Sequence, residues 1–208
     1  MKKNTVLKSA EFPFSIVVSV SKPHYGIGFN GDIPWTSEQD HIHFEEVTCK
    51  VKDDFKINAV IMGNNTWKAL GQRPLVGRVN IIVTSKDVEP FSNLGGTVVY
   101  VKTLYLALMI CKMREDIENA FVIGGHSLFA AAMRHPWLES IYVTEIESAS
   151  PIPQDVDFPL KDKLLDLTYF DIYVLGCSKE EGQRIIYKRF DKKLATTYWT
   201  NDHPFAWT

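Results

Sequence analysis

The stretch Ala120-Phe121-Val122-Ile123-Gly124-Gly125-His126-Ser127-Leu128-Phe129-Ala130-Ala131-Ala132-Met133 decides the fold class. Its four opening apolar residues, two of them β-branched, suit a strand covered on both faces. A glycine pair breaks the run, and an alanine-rich segment with helical spacing follows. Strand, glycine turn and helix form the unit from which parallel sheets with crossover helices are built.

The alternation recurs on both sides of this unit. Strand-like runs cover residues 14–20, 59–62, 79–84, 97–101, 120–123 and 141–146, and two more cover 169–175 and 183–190. Helical patterns cover residues 37–50, 65–70, 103–114 and 127–133. The last two strands flank residues 176–182 and alternate polar with apolar side chains, which predicts an antiparallel pair at a sheet edge. The expectation is one α/β domain over residues 14–190, with an eight-stranded, mostly parallel sheet and an antiparallel C-terminal edge strand. Residues 1–13 read as an N-terminal extension and residues 191–208 as an aromatic tail carrying Trp199, Phe205 and Trp207.

Composition narrows the function classes. The 23 Lys and Arg against 25 Asp and Glu give a net charge of −2, which argues against a nucleic-acid binder. No apolar stretch approaches the roughly 20 residues of a membrane span, so no membrane partner is expected. Cys49, Cys111 and Cys177 are odd in number and far apart, which favours free thiols in a reducing, cytoplasmic compartment. His41 and His43 stand two apart on a helix and do not face each other, so no metal site is expected.

Gly26-Ile-Gly28-Phe-Asn-Gly31 has the outward form of a dinucleotide fingerprint. The third glycine leads into Asp32-Ile33-Pro34-Trp35 rather than a helix, and Ser21 to Tyr25 separate the pattern from the strand. A mobile glycine-rich loop ending in an anchoring Pro34-Trp35 is the better reading. Beyond it, Asp40, Phe44, Val47 and Val51 share one helical stripe. Two roles fit Asp40: it completes a Ser37-x-x-Asp40 capping box, or it serves a ligand from an otherwise apolar face. Gly63 and Gly124-Gly125 each close a strand before a helix, where backbone N–H groups can receive a phosphate.

In this order the segments resemble dihydrofolate reductases. The matching pieces are Ile27-Gly28 with Ile33-Pro34-Trp35; Asp40, Phe44 and Thr48; Val60-Ile-Met-Gly63 with Thr66-Trp67; and Arg73-Pro-Leu-Val-Gly-Arg78 with Asn80. Val122-Ile-Gly-Gly125, Tyr142-Val-Thr144 with Ile146, and Asp155 with Phe158-Pro159 complete the set. The resemblance implies hydride transfer from NADPH to dihydrofolate, giving tetrahydrofolate. It makes Asp40 the pterin-binding carboxylate that promotes N5 protonation, Thr144 its hydroxyl partner and Trp35 the holder of a water near the pterin. It places Val18, Phe44, Leu70, Leu75 and Ile123 along the folate slot and Arg78 on the substrate's α-carboxylate.

On the cofactor side the resemblance implies Ser19, Ile27, Gly63, Asn64, Asn65, Thr66, Thr84, Ser85, Lys86 and Lys102, then Gly124, Gly125, His126, Ser127, Leu128 and Phe129. It also implies that the loop from Ile27 to Trp35 is a flap over the nicotinamide. Family members fused to thymidylate synthase make that enzyme an expected partner, and antifolates are the expected inhibitors. Asn64 stands where a cation is usual, which predicts a weakened preference for NADPH over NADH. Phe129 stands where a tyrosine is common, and Ser19 where an alanine is. Two alternatives share parts of this pattern: a pyrimidine reductase of riboflavin synthesis, and a weakly catalytic homologue that binds folate or nucleotide.

Overall fold

A computed structural model describes residues 11–86 and 96–193. Its strands are β1 Phe14–Ser21, β2 Gly26–Gly28, β3 Ile57–Gly63, β4 Arg78–Val83, β5 Val98–Val101, β6 Ile117–Gly124, β7 Leu138–Ser148, β8 Val156–Asp157, β9 Phe170–Glu180 and β10 Gln183–Lys192. The helices are α1 Glu38–Cys49, α2 Asn64–Ala69, α3 Leu104–Met113, α4 His126–Arg134 and α5 Lys161–Leu165. Eight strands form one continuous path in the order β5-β4-β3-β6-β1-β7-β10-β9. Short β2 and β8 lie off that path and pair with each other, and β2 also pairs with β1.

The strands from β5 to β7 run parallel, as crossover helices require. β10 runs antiparallel between β7 and β9, so β9 is the outer edge. The expected loop over residues 176–182 is a correction. Residues Gly176 to Glu180 continue β9, and a two-residue turn at Glu181-Gly182, with φ of 44° and 78°, suffices to reverse the chain. β10 likewise runs on through Asp191 and Lys192, past the expected domain end at 190. Residues 1–10 of the expected extension and residues 194–208 of the expected tail lie outside the described residues.

The successive apolar residues of the central strands serve two cores. Ala59 and Ile61 of β3 join a large cluster with Ile16, Val18, Val20 and the inner faces of α3 and α4. Their neighbours Val60 and Met62 join Trp67 and Ile82 in a smaller one on the opposite face, with Leu70, Leu75 and Ile123 packed against it. Period-two alternation along a strand covered on both sides produces this division. The smaller cluster shares its face with α1 and α2, and that face carries the site.

Candidate active site

Register across the sheet assembles the floor of the site. Ser19 on β1 lies opposite Thr144 on β7, which lies opposite Tyr187 on β10. Paired residues on neighbouring strands present their side chains to the same face. Ser19 donates its hydroxyl to Asp40 Oδ1 at 2.6 Å, so the half-buried carboxylate on the first turn of α1 is tied to the sheet by Ser19. Thr144 is buried beside that contact, one strand over. Ser19, expected on the cofactor side, is therefore the hydroxyl that reaches the carboxylate.

Val18 corrects another expectation. It pairs with Val143 and packs into the large core with Ile16 and Val20, on the face away from Asp40. Val17, one residue earlier, shares the face of Ser19; the alternation along β1 is the signal that could have found it. Leu70, Leu75 and Ile123 do gather on the site face around Val60 and Met62.

Arg78 opens β4 with its side chain 2% exposed. Its Nε donates to the Val76 carbonyl at 3.0 Å and its Nη1 to Thr48 Oγ1 at 2.8 Å. Its guanidinium carbon stands 5.8 Å from the centroid of the Phe44 ring. The Glu45 carboxylate, 55% exposed, stands 3.7 Å from Nη2. The loop that delivers the arginine is fixed by Asn80, whose amide donates to the carbonyls of Leu75 and Arg78 and accepts from the Leu75 N–H. Gly77 turns that loop with a φ of 74°.

A second cradle forms where two strand ends meet. Gly124 has a φ of 134°, and a Cβ there would stand 3.0 Å from Thr66 Oγ1. A Cβ on Gly63 would stand 3.6 Å from the Gly124 carbonyl oxygen and the Gly125 nitrogen. The peptide bond between Gly124 and Gly125 is cis. The N-caps of α2 and α4 are Gly63 and Gly125, and neither helix start has a side-chain cap, so backbone N–H groups are left to a ligand. Asn64, Asn65 and Thr66 begin α2, and exposed His126 and Ser127 begin α4. These turns suit a dinucleotide's phosphates: glycine backbone, donors and no intruding Cβ.

Leu128 and Phe129 are buried in the large core, so their side chains face inward; the Phe129 ring lies 5.4 Å from that of Phe158. Just past the end of β4, Lys102 donates to the carbonyls of Ser85 and Lys86, which sets its ammonium against that turn, and the Thr84 hydroxyl accepts from the Lys86 N–H. These four residues are among those that the resemblance implies on the cofactor side.

The flap over residues 26–35 is a hairpin. Phe29 and Asp32 exchange backbone hydrogen bonds, and Asn30-Gly31 turn with φ of 52° and 84°, the two-residue geometry that Asn-Gly favours. The Asp155 carboxylate accepts from the Asn30 N–H at 2.8 Å, and the Asp155 N–H donates to the Gly28 carbonyl at 3.0 Å. At the flap's root, Tyr25 donates at 2.6 Å to Glu145, a buried carboxylate that also holds Lys188 at 2.8 Å. Burial, then Glu145, pushes the Tyr25 phenol well above its ordinary value. Ile27 lines this hairpin against the large core. Trp35 closes it, its indole N–H buried with no protein hydrogen-bond partner.

Among the described residues no group of His, Cys, Asp or Glu could hold a metal, and no helix is long and apolar enough to cross a membrane. His43 instead stacks on Tyr187, ring centroids 4.2 Å apart, and burial lowers its pKa.

Comparison with known proteins matches this arrangement. A dihydrofolate reductase family model covers residues 13–167. The dihydrofolate reductase of Heliothis virescens is 36% identical over 180 residues, 86% of this chain and 96% of that one. The bifunctional dihydrofolate reductase-thymidylate synthase of Daucus carota is 31% identical over 169 residues, 78% of this chain and 31% of that longer one. A solved Schistosoma mansoni dihydrofolate reductase superposes with a TM-score of 0.69 at 28% identity, covering 88% of this chain and 100% of its own. With a family model over most of its described residues and a relative matched along nearly its whole length, the chain belongs to the dihydrofolate reductase family.

Proposed function

We propose that the chain reduces 7,8-dihydrofolate to 5,6,7,8-tetrahydrofolate with NADPH, and that Asp40 is the residue on which the reaction turns. The observation carrying the assignment is the placement of Asp40. Its carboxylate is held at one oxygen by Ser19, on the sheet face that Ser19 shares with Thr144, with the other oxygen left for the pterin 2-amino group and N3–H. Gripping the ring there promotes protonation at N5. The buried Trp35 N–H supplies a donor for a water at the same end of the slot. Phe44, Leu70, Leu75 and Ile123 line the slot, and Arg78 takes the α-carboxylate at its far end.

NADPH supplies the hydride when bound. Gly63 to Thr66 and Gly124 to Ser127 would hold its phosphates, with Thr84, Ser85, Lys86 and Lys102 at the adenosine end. The flap closes the nicotinamide side and excludes water, which positions donor and acceptor. Uncharged Asn64 lowers the positive charge available to the cofactor, so discrimination against NADH is weaker than a cationic residue would give. Antifolates that present a diaminopyrimidine to Asp40 inhibit at the same slot. The carrot relative joins a reductase to thymidylate synthase in one chain, and we take that enzyme as the partner this fold accommodates. Cytoplasmic placement fits the three free thiols.

The test is NADPH oxidation with dihydrofolate for the wild type and Asp40→Asn, repeated with NADH. Turnover by the wild type and its loss at neutral pH in the variant support the reading. Undiminished turnover by Asp40→Asn removes Asp40 from the mechanism, and a preference for NADPH above about a thousandfold removes the weakened discrimination.

A further inference from the structure

The N-terminus of α1 is capped from the far end of the sequence. Glu180, the last residue of β9, accepts the Ser37 hydroxyl at 2.6 Å, the Glu38 N–H at 3.0 Å and the Gln39 N–H at 3.3 Å. Ser37 in turn accepts the Asp40 N–H at 3.0 Å, and its carbonyl accepts from His41 N at 3.2 Å. Every amide of the first helical turn is thereby satisfied without the Asp40 side chain. The Ser37 hydroxyl first, then the Glu38 and Gln39 N–H groups, pull the Glu180 carboxyl below its usual range.

This settles the two roles open to Asp40. In a capping box the third helical residue turns its carboxylate back onto the N-cap N–H. Here Asp40 N–H uses Ser37, but the Asp40 carboxylate goes to Ser19 instead. β10 adds a second grip on the same helix: Tyr187 stacks on His43, meets Ser178 Oγ at 2.8 Å and directs its hydroxyl to the Gln39 carbonyl at 3.4 Å. Both grips come from residues beyond 167, outside the part of the chain that the family model covers.

We propose that Glu180 is a positioning residue: by holding the Ser37 hydroxyl and the Glu38 and Gln39 N–H groups it fixes the start of α1 in the orientation that turns the Asp40 carboxylate to Ser19 and the pterin slot. The proposal rests on the reading of Asp40 given above. Without Glu180 the start of α1 loses that anchor, the Asp40 carboxylate can turn back onto the Ser37 N–H, and a pterin or diaminopyrimidine head must displace it.

The experiment measures binding of a 2,4-diaminopyrimidine antifolate and, separately, of NADPH to the full chain, with dihydrofolate turnover, for wild type, Glu180→Ala and Glu180→Gln. An N-cap interaction is of a size to weaken antifolate binding about tenfold in Glu180→Ala and to lower kcat in step, while NADPH affinity stays within about twofold. Glu180→Gln keeps one acceptor oxygen and recovers part of the loss. Equal loss of both ligands means a general structural role and overturns the proposal, as does unchanged antifolate binding in Glu180→Ala. A variant too unstable to assay at 25 °C is measured at 10 °C with the same criteria, and Tyr187→Phe, which keeps the stack on His43, reports whether the hairpin still grips the helix. A wild type that does not turn over dihydrofolate refutes the reading of Asp40 itself, a result distinct from any change between variants.

Discussion

Replacing Arg78 should separate substrate recognition from everything else the chain does. Its guanidinium carries five N–H groups. One goes to the Val76 carbonyl and one to Thr48, and among the described residues the Nη2 edge and the second Nη1 hydrogen then have only exposed Glu45, at 3.7 Å from Nη2. A ligand carboxylate can therefore take a two-pronged hydrogen bond from a fork that is already oriented and dehydrated. Charge-assisted bonds contribute about 1.5–3 kcal/mol each; allowing for displacement of Glu45, the pair is worth about 3 kcal/mol, on the order of a hundredfold in KM. Arg78→Leu should raise the KM for dihydrofolate by that factor with NADPH affinity unchanged. Arg78→Lys keeps the charge without the fork, so an intermediate rise of about tenfold is expected.

Stability should move the other way. A buried cation whose counter-charge is distant and solvated costs folding free energy, and an apolar replacement removes that cost. The ligand-free Tm of Arg78→Leu should equal or exceed that of wild type even though substrate affinity collapses. Steady-state kinetics, a fluorescence titration with NADPH and a thermal melt decide the matter. A KM rise below about fivefold in Arg78→Leu, or a parallel loss of NADPH affinity, refutes the placement.

Gly124→Ala forces a Cβ to 3.0 Å from Thr66 Oγ1 at a φ of 134°, so it should cost about 2–3 kcal/mol in a urea titration and weaken NADPH at least about tenfold; a variant that binds NADPH normally would show that the two turns do not share a ligand. His135, buried between Phe14 and Trp137, is held from 6.5 down to about 4 by burial first and then by Lys192. The folded state prefers the neutral ring, so this contribution is complete above pH 6.5 and is lost as pH falls towards 4. After discounting for screening it amounts to about 2 kcal/mol, and His135→Gln should flatten the fall in urea midpoint between pH 7 and 4.5; an identical fall in both proteins would assign it to other groups.

Most of the sheet is readable from the residues because its central strands are unbroken apolar runs such as Ala59-Val60-Ile61-Met62, which few other structures accommodate. What escapes reading is short or distant. β2 and β8 have three and two residues, too few for any period, and α5 has only five. The end of β9 is misplaced because Gly176 resembles a turn, whereas the turn falls at Glu181-Gly182. Of the candidate site, Asp40 stands out in the sequence by its helical spacing and Arg78 only through the family resemblance. Ser19 is legible only once the sheet brings it against α1, and Val18 is misassigned because a one-residue step along a strand reverses the face. Glu180 lies 142 positions from the N–H of Glu38 that it caps, so no local pattern could reveal it.

The strand order also dictates when the site can exist. β6 enters the sheet between β1 and β3, both made earlier, and β7 closes the other side of β1. Until β6 and β7 have been synthesised, β1 has only three-residue β2 to pair with, and Ser19 has no finished floor around it. The earlier segments β3, β4 and β5 can pair among themselves as they emerge, but the strand that seats Asp40 waits for contacts more than a hundred residues away. Assembly of the candidate site is thus a late event of chain growth, and a nascent chain stalled before Ile117 holds the Asp40 carboxylate without a surface to set it on.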